Sequence, residues 1–243
     1  MHKTLTKIKK RKLSVGAWIQ TSSYDNVEII SNSNFDWIAI DQEHGNISNQ
    51  TLKDLVRIIQ GSKNFPFVRL KSRNPEDIPN ILDTGVQGII IPHVRNAIEV
   101  KKIVNNCFYH PKNKRGIGFS RANDFGRKLK QYQRNHKNLA IFAMIENKDG
   151  YENLNEILSV KEVDGVFIGP YDLSASLNIF EKFNDIGFKK VIRNILDICK
   201  KNNKMCGIHI IENNPKELEK RKKEGYKFIA YSLDTFILRS YQI

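Results

Sequence analysis

The 243-residue chain is long enough for one large core, and its 40% hydrophobic and 27% charged residues exclude a disordered or membrane-embedded polymer. A formal net charge of +14 brings a polyanion partner to mind, but the lysines recur along segments of helical pattern, as at Lys101-Lys102, Lys189-Lys190 and Lys200-Lys201. No zinc-finger, helix-turn-helix or aromatic-interleaved signature accompanies them, so nucleic acid ranks low.

Met1 to Lys12 is basic and lacks the apolar core of a secretory signal, so residues 1–12 are expected to be a leader and residues 13–243 a single domain. No apolar run approaches the roughly 20 residues that cross a bilayer. Cys107, Cys199 and Cys206 have neither disulfide nor thiolate-metal spacing, and a cytoplasmic setting is expected. Leu13 to Gln20 reads as a first strand and Asn26 to Ser31 as its helix. Phe35 to Ile40 is a second strand, and polar residues begin at Asp41; Thr51 to Gln60 then carries Leu52, Leu55, Val56 and Ile59 at helical spacing. Phe65 to Leu70 is the third strand, with a helix that opens at Asn74-Pro75 and closes at Asp83-Thr84-Gly85. Gly88 to Pro92 is the fourth, apolar on both faces, and Ala97 to Asn105 its helix.

Tyr109-His110-Pro111 through Arg121 is rich in turn formers and reads as a long rim loop, before a helical pattern over Lys128 to Asn135. Leu139 to Ile145 and Gly165 to Ile168 are the fifth and sixth strands, with a helix over Tyr151 to Ser159 between them. Phe188 to Lys200 is helical, Met205 to Ile210 is the seventh strand, Pro215 to Gly225 a helix and Tyr226 to Tyr231 the eighth strand. Thr235 to Ser240 closes the chain as a short helix. Eight apolar strands separated mostly by helices predict an α/β fold, a (β/α)8 TIM barrel.

A barrel keeps its site at the carboxyl ends of its strands, where the sequence places Gln20, Asp41 with His44, Arg69, Pro92 with His93, Glu146, Asp172, Ser232 and Asp234. Glu146 and Asp172 each follow an apolar strand. On one rim they suit a hard divalent cation or a shared proton, and the plainer alternative for Asp172 is a helix cap. Asp41, three residues before His44, is placed to orient that imidazole as a general acid or base. Arg69 at a strand end requires an anionic partner and suits an enolate or carboxylate oxygen. His209, between two isoleucines, reads as a packing residue. Gly116 and Gly118 lack phosphate-loop spacing, and the fifth, sixth and seventh strands offer no Schiff-base lysine.

In order, Phe35-Asp36-Trp37-Ile38-Ala39-Ile40-Asp41-Gln42-Glu43-His44-Gly45, Pro66-Phe67-Val68-Arg69, Asp83-Thr84-Gly85, Lys114-Arg115-Gly116-Ile117-Gly118, Ile145-Glu146 and Gly169-Pro170-Tyr171-Asp172-Leu173-Ser174 resemble the metal-dependent class II pyruvate aldolases. That family includes 4-hydroxy-2-oxoheptanedioate aldolase and 2-dehydro-3-deoxyglucarate aldolase and is related to the citrate lyase beta subunit. The resemblance implies Glu146 and Asp172 as ligands of Mg²⁺ or Mn²⁺, Arg69 beside the ketone oxygen and Asp41 with His44 as the proton-transfer unit. It implies that the turn Gly169, Pro170, Tyr171 and Asp172 receives the pyruvate carboxylate, and that Gln20 borders the pocket. It further implies a homo-oligomer with terminal helices docked on neighbouring barrels and Asp83 near an adjacent site.

The implied reaction is retro-aldol cleavage of a 4-hydroxy-2-oxo acid into pyruvate and an aldehyde through a metal-stabilised enolate. The chain departs from the pattern at Met144, where many members have glutamine, and at His110-Pro111-Lys112-Asn113-Lys114 in the rim loop. The alternatives are a citrate-lyase-like enzyme acting on an acyl-CoA ester and, behind it, a non-enzymatic polyanion-binding protein.

Overall fold

Runs rich in isoleucine, valine and phenylalanine form parallel strands that pair in sequence order until the eighth returns to the first. They are β1 (Ser14–Ile19), β2 (Trp37–Asp41), β3 (Phe65–Arg69), β4 (Gly88–Ile91), β5 (Ala140–Ile145), β6 (Gly165–Ile168), β7 (Met205–Ile210) and β8 (Phe228–Leu233). The computed structural model describes residues 2–110, 113–134 and 138–240; Pro111, Lys112 and Asn135, named above, lie outside them. The closed barrel is the fold that the strand count predicts.

Helices α1 (Lys3–Lys9), α2 (Tyr24–Ser31), α3 (Asn49–Gly61), α4 (Ile78–Asp83), α5 (Ala97–Asn105) and α6 (Leu129–Arg134) precede β5. The chain after β5 contributes α7 (Lys148–Glu152), α8 (Leu154–Ser159), α9 (Pro170–Ser176), α10 (Ile186–Lys201), α11 (Pro215–Glu224) and α12 (Asp234–Arg239). Their starts follow side-chain chemistry. Ser23, Ser48, Asn96, Asp185 and Asn214 each accept an amide hydrogen from the first turn of α2, α3, α5, α10 and α11. The single helix expected over Tyr151 to Ser159 is two, because the chain turns at Asn153, which ends α7 and begins α8.

Strand alternation sorts the core into two layers. Ile38 and Ile40, Val68, Ile89 and Ile91, and Ile208 and Ile210 face outward against apolar helix residues such as Leu52, Leu55, Val56 and Ile59. Trp37, Ala39, Phe65, Phe67, Phe142, Phe167, Met205 and Phe228 fill the inside. Phe228 stacks between Trp37, at 4.2 Å, and Phe142, at 3.9 Å. Gly16 makes room for this filling, since a Cβ there would lie 2.0 Å from the Trp37 ring.

Residues 3–9 have a structural role that their lysines hide. α1 buries Leu5 and Ile8 in the same cluster as Trp37, Phe65, Ala140, Met205 and Phe228, the first residues of their strands, and so closes the amino-terminal mouth. Lys7 pairs with Asp36 at 2.6 Å and Lys9 with Asp164 at 2.7 Å, clamping it to the loops before β2 and β6. No helix among the described residues is long and apolar enough to cross a membrane.

Candidate active site at the carboxyl rim

Alternation carries the inward faces of β2 and β3 from aromatic residues to charge: Trp37, Ala39, Asp41 on one, Phe65, Phe67, Arg69 on the other. The register sets Asp41 opposite Arg69, and pairs Ile19 with Ile40 so that Gln20 arrives level with Asp41. Arg69 Nε donates to Asp41 Oδ1 at 2.8 Å and Nη2 to Oδ2 at 2.5 Å, a bidentate pair with both residues buried. The guanidinium also lies 5.3 Å from the Trp18 ring centroid, and Gln20 Nε2 approaches Asp41 at 3.4 Å. Burial alone would raise Asp41, but the hydrogen bonds and charge of Arg69 outweigh it and hold the carboxyl below its usual range.

The expected Asp41–His44 dyad takes a different form. Asp41 Oδ1 accepts the backbone amides of Glu43, at 3.1 Å, and His44, at 3.3 Å, while its carboxylate is committed to Arg69. Asp41 thus shapes the turn that carries His44, whose exposed ring lines the cavity above it.

Glu146 follows β5 on the inward face, 2% exposed. Its Oε1 accepts the His93 amide at 2.5 Å, and its Oε2 lies against Gly169, where a Cβ would come within 2.8 Å. Burial first, with the nearby charges of Glu43 and Asp172 adding to it, raises Glu146 to about 7 against the opposing pull of His93. Burial also raises Glu43. The His93 ring stands between these carboxylates, Nε2 at 3.1 Å from Glu43 Oε1 and Nδ1 at 3.3 Å from Glu146 Oε1. Ligand atoms of Glu43, His93 and Glu146 all fall within 4.8 Å of one another. Glu43 Oε2 is buried with no hydrogen-bond partner among the described residues, although Arg69 Nη1 stands 3.0 Å away without the right aim. Raised carboxyls, an imidazole and an oxygen lacking a donor form a donor set that fits a divalent cation.

A cavity of about 230 Å³ opens here, lined by Gln20, Asp41, His44, Arg69, Gly169, Pro170, Tyr171 and Asp172, with Trp18, Met144, Phe167 and His209 below. Within the Gly169 to Asp172 turn, the Gly169 amide is spent on Ile145 O at 3.1 Å and Pro170 has none, so the donors left to a ligand are the Tyr171 and Asp172 amides at the start of α9. Asp234 is structural: it accepts the Gln20 and Thr21 amides at 2.9 and 3.0 Å and ties α12 to β1. Asp83 ends α4 at the opposite end of the barrel, held by Arg115 at 2.5 Å and Ser120 at 3.0 Å. Glu43 and His93 were not singled out together in the sequence. They meet because the chain at His93 takes a positive φ of 49°, which no periodicity announces.

The profile of the HpcH/HpaI aldolase/citrate lyase family matches residues 14–240. A 5-keto-4-deoxy-D-glucarate aldolase of Enterobacter sp. (strain 638) is 30% identical over 233 residues, 95% of this chain and 90% of that protein. A 4-hydroxy-2-oxo-heptane-1,7-dioate aldolase of Shigella boydii serotype 18 is 32% identical over 234 residues, 95% of this chain and 88% of that protein. The crystal structure of a HpcH/HpaI aldolase/citrate lyase family protein from Burkholderia cenocepacia J2315 superposes with a TM-score of 0.91 at 22% identity, covering 99% of this chain and 96% of that one.

Proposed function

This chain belongs to the HpcH/HpaI aldolase/citrate lyase family, and from that premise we infer that it is a divalent-metal-dependent carbon–carbon lyase cleaving a 4-hydroxy-2-oxo acid by retro-aldol chemistry to pyruvate and an aldehyde. The observation that carries the reading is Glu146: a buried carboxyl raised to about 7 between further carboxylates at the rim, a place made for a cation. Its Oε1 accepts the His93 amide, and Glu146 together with Asp172, whose charge acts on it, would hold the ion. Glu43 and His93 stand behind Glu146 as further donors. Oxygen-rich ligation of this kind favours Mg²⁺ or Mn²⁺. When bound, the ion supplies Lewis-acid polarisation of the substrate's oxo group.

The chain's own groups supply the rest. Arg69, made rigid by its bidentate bond to Asp41, directs positive charge into the cavity where an enolate oxygen develops. Its geometry is set before substrate arrives, so little reorganisation accompanies the reaction. His44, exposed and lining the cavity, is the group to take the proton of the substrate's C4 hydroxyl as the C3–C4 bond opens. The Tyr171 and Asp172 amides face the substrate carboxylate.

Pyruvate release from a panel of 4-hydroxy-2-oxo acids, with Mg²⁺ or Mn²⁺ and after exhaustive chelation, tests the reading. Chelation is expected to abolish turnover, with restoration on readdition of the ion; undiminished turnover without metal removes it. Asp172→Ala should weaken metal binding more than His93→Ala, and the reverse order would move the ion to the Glu43–His93 side.

A further inference from the structure

His209 occupies a position that the reaction above does not use. Alternation in β7 sends Met205, Gly207 and His209 inward, so the imidazole lies within the barrel just beneath the rim, in the floor of the same cavity. Its ring stacks on Trp18 with centroids 5.0 Å apart and planes at 29°. Nε2 lies 3.2 Å from the Ser232 carbonyl oxygen. A carbonyl only accepts, so Nε2 carries the proton and, in the neutral ring, Nδ1 keeps its lone pair. Burial pushes the group down to about 4, which keeps the ring neutral near pH 7.

The backbone is built to fix this tautomer. Between Gly16 and Trp18 of β1 the pairing with β8 jumps from Ala230 to Leu233, so β8 carries one extra residue. Within that bulge Ser232 takes a φ of 71°, and its carbonyl meets His209. Nδ1 has no hydrogen-bond partner among the described residues and is not among the sealed, unpartnered polar atoms, so it opens on the cavity. Trp18 touches both His209 and, at 5.3 Å, the Arg69 guanidinium. Arg69 and His209 line the same cavity, close enough for the guanidinium charge to act on the imidazole, so a small molecule whose oxo oxygen meets Arg69 shares that cavity with His209.

The chemistry of that lone pair selects its partner. Carboxylate and oxo oxygens carry no proton and are repelled by it; a methyl group leaves it unsatisfied; a hydroxyl donates to it. Resting on the retro-aldol reading above, we propose that His209 Nδ1 accepts a hydrogen bond from a hydroxyl on the carbon next to the oxo group, so that this site favours 3-hydroxylated 2-oxo acids, whose cleavage releases 3-hydroxypyruvate in place of pyruvate, over their 3-deoxy counterparts. His209 acts here as a specificity residue.

Pyruvate and 3-hydroxypyruvate differ by that one hydroxyl. Isothermal titration of each into the Mn²⁺-loaded full chain is expected to give about fivefold to tenfold tighter binding of 3-hydroxypyruvate, the worth of one neutral hydrogen bond. His209→Leu should erase the preference, and His209→Gln, which restores a carbonyl acceptor, should recover part of it, a pattern that loss of packing alone would not produce. Equal binding of the two acids by the wild type, or an unchanged ratio in His209→Leu, overturns the inference and leaves the lyase reading standing. Failure of the metal-loaded wild type to bind either acid removes both.

Discussion

Two carboxyls at one rim are shifted in opposite directions, and the cause lies in what each touches. Asp41 is fully buried yet held low, because two guanidinium nitrogens meet its two oxygens. Glu146 is nearly as buried and raised to about 7, since its nearest fixed donor is a single backbone amide and its other neighbours include Glu43 and Asp172. An ordinary glutamate releases its proton near 4.5; between that value and about 7 the folded, metal-free chain still holds one that the unfolded chain has lost. The contribution of Glu146 to stability is therefore complete at acid pH and declines as pH rises across this window. A cation must displace the same proton. Metal affinity measured by titration calorimetry is accordingly expected to rise about tenfold per pH unit from pH 5 to 7 and to level off above, with one proton released at the acid end. Affinity independent of pH over that interval would show that Glu146 is not a ligand.

At the scale of elements, the register of adjacent strands decides which side chains share a height. Ile145 pairs with Ile168, so Glu146 and Gly169 leave their strands side by side, and the absent side chain of Gly169 is the space that Glu146 Oε2 occupies. Gly169→Ala places a methyl 2.8 Å from both the Cβ and the Oε2 of Glu146, so the whole Glu146 side chain must shift and the carboxylate with it. The expected outcome is metal affinity lowered at least tenfold with thermal stability changed by less than about 2 kcal/mol; unchanged affinity would mean that Glu146 does not hold the ion. The strands, and Asp41, Arg69 and Glu146 at their ends, were legible because apolar runs stop abruptly at charge. The meeting of Glu43 with His93, itself placed at the rim by the sequence, was not, since a turn with positive φ at His93 brings them together. His209 was hidden differently. Its inward neighbours Gly207 and Met205 do not contrast with the outward isoleucines, so the strand shows no alternation of polarity to mark its faces. The sequence also could not show that Asp41 would bond to Arg69 in preference to the His44 ring, a choice made by the register of β2 on β3.

For the whole molecule, charge and closure have opposite ends of the barrel. The carboxyl rim gathers Asp41, Glu43, Glu146 and Asp172 around Arg69, a local excess of negative charge that suits a cation, within a chain of net charge +14 that favours the approach of an anionic substrate. The amino-terminal mouth gathers no such metal-ligand cluster among the described residues and is sealed instead. α1 does this with Leu5 and Ile8, at 2% and 1% exposure, and with Lys9, whose ammonium meets Asp164 and the Leu139 carbonyl. Burying the two side chains contributes about 3–6 kcal/mol. Removing residues 1–12 would also bring water to the Trp37 and Phe65 rings and strip Asp164, which burial already raises, of its ammonium partner. A chain lacking residues 1–12 should therefore unfold in urea with its stability lowered by about 4–7 kcal/mol, whereas Lys3→Ala, on an exposed position of the same helix, should leave the midpoint in place. Equal midpoints for the truncated and full chains would mean that the basic leader is an appendage and that the barrel closes its own floor.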